Sequence, residues 1–195
     1  MYAAGAIPTF ICDAPSNKDD ALVLTATTIA SGSILRGKCT LASGAAVAAA
    51  GIIEIAGTGQ LTINSGATIG AGARFRVAGN GILIAYVDPL AVYVDENGTF
   101  THGAGTQALT LVEYSDGHVI LMATGTVAKI RARKGGRGTF ELGNEYARAI
   151  TSIEAWAGPR IDLRKGKHCT VVITAKDTNE PLNILWPLNT TITPS

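Results

Sequence analysis

The 195-residue chain reads as an all-β protein, with a short irregular β-helix (solenoid-like) or sandwich part first and an antiparallel β domain after it. Three observations predict this class. Apolar residues reach 47%, charged residues only 16%, and there are 23 glycines, a balance that favours turn-rich β structure and excludes disorder. The apolar runs are short and alternate, as in Leu61-Thr-Ile-Asn-Ser-Gly-Ala-Thr-Ile69, which is the period of a half-buried strand. Glycines at 32, 44, 57, 66 and 79 mark corners 9 to 13 residues apart. Each piece is too short to bury its own apolar face, so the pieces must stack on one another or on partner chains.

Residues 1–20 form an extended N-terminal arm in this reading, because Ile7-Pro8 and Ala14-Pro15 bias the backbone away from helix and residues 16–20 are a polar turn. Its apolar Ile7, Phe10 and Ile11 need cover, from a neighbouring surface or from the chain itself. Residues 21–87 form the β-coil part. It opens with Leu22-Val23-Leu24-Thr25 and Thr27-Thr28-Ile29, and it turns tightly at Asn64-Ser65-Gly66-Ala67 and Gly79-Asn80-Gly81.

Near Asp88-Pro89 the texture changes, and residues 88–195 are assigned to an antiparallel β domain with an extended tail. Asn97-Gly98 and Asp116-Gly117 are strong hairpin signals between alternating runs such as Ala91–Asp95, Leu109–Tyr114 and His118–Met122. A strand over 126–133 ends in the loop Lys134-Gly-Gly-Arg-Gly138, a helical turn is expected within 144–150, and Cys169–Ala175 is the clearest strand of all.

Little in the chain suggests reaction chemistry. His102, His118 and His168 have no carboxylate or second histidine at a local spacing that would build a site, and they read as surface or hairpin residues. Gly103-Ala-Gly-Thr-Gln-Ala108 matches a dinucleotide fingerprint in letters, but a β-type run follows where a helix is required. Asp95-Glu-Asn-Gly98 lacks the ligand pattern of a calcium loop. Asp19, Asp20 and Asp88 have no readable spacing as a hydrolytic carboxylate pair, and Asn97-Gly-Thr99 and Asn189-Thr-Thr191 match the glycosylation pattern by accident. Cys12, Cys39 and Cys169 are odd in number, widely spaced and without metal-finger spacing, so they read as reduced, buried thiols. No catalytic residue, metal or cofactor is expected.

With formal net charge +1 the chain has no field to gather nucleic acid or an anionic membrane. The most apolar window, 41–56, is interrupted by Ser43, Gly44, Gly51 and Glu54 and falls short of a membrane span, and the first residues lack a secretion-signal pattern. The one charge cluster is Arg131-Ala-Arg-Lys-Gly-Gly-Arg137, whose Arg131 and Arg133 share one strand face. With Lys134 and Arg137 they read either as a plain solvated loop or as a contact for an acidic protein surface, ahead of a nucleic-acid contact.

The segments Leu61–Ile69 and Thr40–Val47, together with the opening Gly5-Ala-Ile-Pro-Thr-Phe10, resemble the short β coils of bacteriophage virion proteins: head decoration or cement proteins, head fibres and tail spikes. The resemblance covers the first half of the chain and carries no functional residue across. It implies a non-enzymatic capsid decoration protein on the head exterior, made in the bacterial cytoplasm. Such a protein would be a homotrimer bound across major capsid subunits. Ile7, Phe10, Ile11, Arg131, Arg133, Lys134 and Arg137 are the candidate contact residues. The alternative it implies is a trimeric spike or fibre module that binds a bacterial surface glycan. Aromatics exposed in a groove would favour that alternative.

Overall fold

The structure is a computed structural model, and it describes residues 2–14, 22–166, 168–176, 180–186 and 193–194. The first three strands are long: β1 (Tyr2–Asp13), β2 (Leu22–Leu41) and β3 (Ala46–Ile63). Short strands follow, β4 (Thr68–Ile69), β5 (Arg74–Val77), β6 (Ile82–Ala85), β7 (Ala91–Val94), β8 (Thr99–His102), β9 (Leu109–Tyr114) and β10 (His118–Leu121). The series ends with β11 (Val127–Ala132), β12 (Thr139–Leu142), β13 (Arg148–Ala155), β14 (Arg160–Asp162), β15 (Cys169–Ala175), β16 (Asn183–Leu185) and β17 (Thr193–Pro194).

Every described strand pairing is parallel. The chain is therefore a parallel β-solenoid of about eight turns. One ladder runs through β1, β2, β3, β5, β7, β9, β11, β13, β15 and β17, and a second runs through β2, β3, β6, β8, β10, β12, β14 and β16. Among the described residues a third face is present only at the start, where Thr28 and Ile29 pair with Ala46 and Val47, which pair in turn with Thr68 and Ile69.

The antiparallel domain expected over 88–195 is thereby corrected, and both ladders cross 86–90 unbroken. The turn residues behave as read, but they serve a corner. Glu96 and Asn97 have φ of 48° and 63°, and the Gly98 amide donates to the Asp95 carbonyl at 2.8 Å. Positive φ at both central residues is hairpin geometry. Here the strand after the turn, β8, bonds to β6 and β10 rather than to β7, because Val92, Val94 and Phe100 all point into one interior shared with the turns above and below. The helical turn expected at 144–150 is likewise a loop leading into β13. The N-terminal arm is the first rung of the stack, with Thr9 to Cys12 paired to Ser31 to Ile34. The polar turn at 16–20 and Asn189-Thr-Thr191 lie outside the described residues.

The core is a set of in-register columns. One is Cys39, Leu61, Leu83, Phe100, Val119, Phe140 and Ile161, all essentially inaccessible. Another is Ile55, Val77, Val94, Tyr114, Ala132 and Ala155. Burying each large apolar member stabilises the fold by about 1.5–3 kcal/mol before entropy is counted. The second column ends in two small residues below its largest one. Tyr114 sits beside the small Ala132, lies 6.5 Å from the Phe140 ring, and donates its hydroxyl to the Arg160 carbonyl across the interior at 3.0 Å. A Cβ on Gly32 would lie 3.0 Å from the Phe10 ring, so the glycine is what lets Phe10 fold back onto the core.

Where the third face ends, side chains take over its hydrogen bonding. Asp88 accepts from the Leu90 amide at 2.8 Å, the Thr110 amide at 3.2 Å and the Thr110 hydroxyl at 2.7 Å, tying together corners one turn apart. It holds Leu90 at a φ of 61°, a costly conformation for a branched side chain. Further along, Arg148 is buried and donates to the Leu121 carbonyl at 3.0 Å and to the Asn144 side chain.

Candidate binding groove on the outer face

The outward residues of the first ladder are set by alternation: when Val112, Ile130 and Ile153 face in, so do Tyr114, Ala132 and Ala155, and the residues between them project from the outer face. Stacking then places Ser33, Glu54, Arg76, Tyr93, Glu113, Arg131, Glu154 and Thr174 in one outer column. From Glu113 to Glu154 the column alternates in charge at rung spacing. Arg131 donates from Nε to Glu154 at 2.7 Å and from Nη1 to Glu113 at 3.4 Å. Lys129 adds a 3.3 Å bond to Glu154, and Arg133 pairs with Glu113. The Arg131 guanidinium, and after it Lys129, holds the Glu154 carboxyl below its ordinary range. Glu113 keeps only 8% of its side chain exposed, so its two arginines are what make its charge tolerable.

The residues that follow Tyr114, Ala132, Ala155 and Ala175, where the four strands end, build a second column of Ser115, Arg133, Trp156 and Lys176. The backbone ladder extends with it. Arg133 N donates to Tyr114 O at 2.9 Å, Trp156 N to Ala132 O at 3.2 Å, and Lys176 N to Ala155 O at 2.8 Å. Between the columns lies a groove of about 410 Å³ lined by Glu113, Arg131, Arg133, Lys134, Glu154, Trp156 and Lys176. It offers one flat aromatic side chain, four cations and two carboxylates, a set suited to binding a polar ligand in a fixed orientation.

A second charged cluster occupies the outer side of the other ladder. Glu141 and Asp162 are register neighbours there, beside a cavity of about 340 Å³. Arg164 chiefly, with Arg160, holds the Asp162 carboxyl down at about 2, and His118 lies 3.6 Å from Glu141. Adjacent carboxylates are what glycoside hydrolysis uses. Asp162, however, has both oxygens engaged by guanidinium groups, at 2.7 to 3.2 Å, and works as an ion-pair anchor.

The structure brings Arg131, Arg133 and Lys134 together at the groove, with Arg131 and Arg133 tied into the charge column. Arg137 stands apart on the same exposed corner, its amide donating to Asp116 at 2.8 Å. Ile7 is half-buried, Phe10 packs on the core, and Ile11 is 68% exposed on the first rung. Sequence reading missed Glu113, Glu154, Trp156 and Lys176. Glu113 and Glu154 lie 18 and 23 residues from Arg131, and Trp156 lies 23 from Arg133 and 20 from Lys176, so only the coil period assembles them.

His102 is a correction: it is not at the surface but fills an interior column between Ala85 and Leu121, with 0% exposure. Its Nε2 meets the Val87 carbonyl at 3.1 Å, its Nδ1 has no partner, and burial pushes its pKa down. His118 is half-buried and His168 exposed. Cys12 and Cys39 are buried, with burial raising Cys39 to about 12, and Cys169 is half-buried. Among the described residues no group of three or more histidine, cysteine and acidic side chains could hold a metal, and no helix is long and apolar enough to cross a membrane. Comparison of the chain with family models, with curated proteins and with solved structures finds no match to any of them.

Proposed function

We propose that this chain is a non-enzymatic structural protein of a bacteriophage particle, a decoration protein that binds the outside of the head as a homotrimer and stabilises contacts between major capsid subunits. The observation that supports this reading is the first rung. Among the described pairings β1 is bonded only to β2, so its other edge is an open row of backbone donors and acceptors beside the exposed Ile11. The last strands, β16 and β17, are likewise bonded on one side only among the described pairings, and a rigid stack whose first rung also presents an exposed apolar side chain suits a protein that is seated end-on. Seating would add buried area between capsid subunits and shift their equilibrium towards the closed shell by mass action. No catalytic step is needed.

The test is loading of purified protein onto empty expanded phage heads, with its own mass followed by light scattering. The expected result is saturation at a fixed ratio to capsid subunits and a trimeric mass, with Ile11→Asp lowering head affinity by about tenfold or more, as loss of an apolar anchor at an interface does. Failure of the unaltered protein to load heads would overturn the proposal.

A further inference from the structure

We infer that the open edge of β1 is a strand-addition site, which takes up an extended, uncharged segment of a capsid subunit as one more strand against Thr9 and Ile11. This inference rests on the proposed seating of the first rung and names what the rung is seated on. The Pro8 carbonyl accepts from the Ser31 hydroxyl at 3.1 Å, and the Ala14 amide donates to the Arg36 carbonyl at 3.3 Å, so the even-numbered residues here turn their backbone to β2. Alternation along the strand then aims the N–H and C=O of Thr9 and Ile11 at the open side. The N–H that proline lacks therefore falls on the bonded side and leaves no gap in the open row.

Edges that stay unpaired are blunted by charge, by proline or by being very short. The other end of the stack follows that rule: β16 has three residues, and β17 has two, one of them Pro194. In contrast β1 has 12 residues, and none from Tyr2 to Cys12 is charged. At its end Asp13 is neutralised by Arg36 at 2.5 Å. A row of backbone donors and acceptors at peptide spacing is matched along its length by another extended chain, so the partner is a polypeptide. Side chains set the composition of that segment. Ile11 is 68% exposed on the outer face, and the half-buried Phe10 lies on the inner face with no rung beyond it among the described pairings. A segment laid against them needs apolar residues on both of its faces and no charge opposite Ile11.

The experiment is the head-loading titration with Ile11→Pro and Ile11→Ala variants of the whole chain. Both lose the isoleucine side chain, and only the first also loses the outward N–H. Ile11→Pro should bind heads about tenfold or more weakly than Ile11→Ala, since it removes a backbone hydrogen bond and puts a ring where the added strand would lie. The β2 side of β1 is untouched, so both variants should melt with the parent. If Ile11→Pro melts lower, Thr9→Pro against Thr9→Ala repeats the comparison at the neighbouring outward N–H. Loading by the parent with equal affinity for the proline and alanine variants would overturn strand addition and leave the seating intact. No loading by the parent would overturn both. The mass of the free protein by light scattering should not change on Ile11→Pro. A fall would mean that a second copy of this chain occupies the edge, which also overturns the inference.

Discussion

The turns built from residues 22–85 and those built from residues 91–175 share one interior and differ on the outside. In the first region the repeat settles after steps of 18 to 22 residues between β2 and β3: 22 residues separate Ala46 from Thr68, Ile52 from Arg74 and Gln60 from Ile82, and a third face is present. Its corners are made by small residues and its outer columns are mostly neutral, with Glu54 and Arg76 as a loose pair at 3.9 Å. In the second region the third face has no strand among the described residues, and the repeat wanders between 17 and 23 residues. Asp88, Asn144 and Arg148 do the work of its corners, and charged side chains lock together on its outer faces. A parallel stack constrains only what points inward. The outer columns are free to carry chemistry, and this chain places that freedom in its second region.

If the interior is one core, Phe75→Ala in the first region and Phe140→Ala in the second should each cost about 3–5 kcal/mol, since both side chains are fully buried. Both should lower a single cooperative transition in thermal melts followed by circular dichroism. Two separate transitions, with each substitution moving only one, would break the comparison into two domains.

The second region should also be the one that feels acid. His102 is held neutral by burial, with Asp88 and Arg148 the charged groups that act on it. Its folded pKa lies below its unfolded value near ~6.5. Its contribution is therefore fully present above about pH 6.5 and declines as pH falls below that, by at most ~1.4 kcal/mol per pH unit. His102→Leu, which matches the leucine next in its column, should flatten stability between about pH 7 and 5 in denaturant titrations. An unchanged slope would assign the acid sensitivity elsewhere.

The smallest contrast is electrostatic. Arg131→Met removes the guanidinium between two carboxylates and should cost about 1 kcal/mol, because Arg133 and Lys129 still offset part of the exposed charge. Arg76→Met breaks only a long surface pair and should cost under about 0.5 kcal/mol. Equal losses in urea titrations would mean that the charge column of the second region is no tighter than the isolated pair of the first.

Much of the stacking was legible in the sequence. Alternation in Leu61–Ile69 and the glycine corners announced short stacked strands, and the tight turns at Asn64–Ala67 and Gly79–Gly81 formed where expected. Strand direction beyond residue 88 was not legible, since Asp95-Glu-Asn-Gly98 has the same backbone chemistry whether the next strand returns beside its predecessor or passes to another face. That choice is made by which apolar face the next strand can complete, a long-range property. Asp88 was visible as a change in texture, but its three bonds depend on Thr110 arriving one turn later. The groove was half legible, through Arg131, Arg133 and Lys134. Trp156 and the two glutamates join it only through an irregular coil length, which no local pattern encodes.

The step between stacked rungs, never outside about 17 to 23 residues among the described pairings, also governs how the chain can fold. Closing a loop costs entropy that grows only slowly with its length, and here every rung closes a loop of nearly the same length. No strand waits for a partner from the far end of the sequence. Once one pair of coils has nucleated, each further coil can be added at a similar entropic cost. Growth can thus keep pace with synthesis, and a chain pulled from one end would yield one coil at a time.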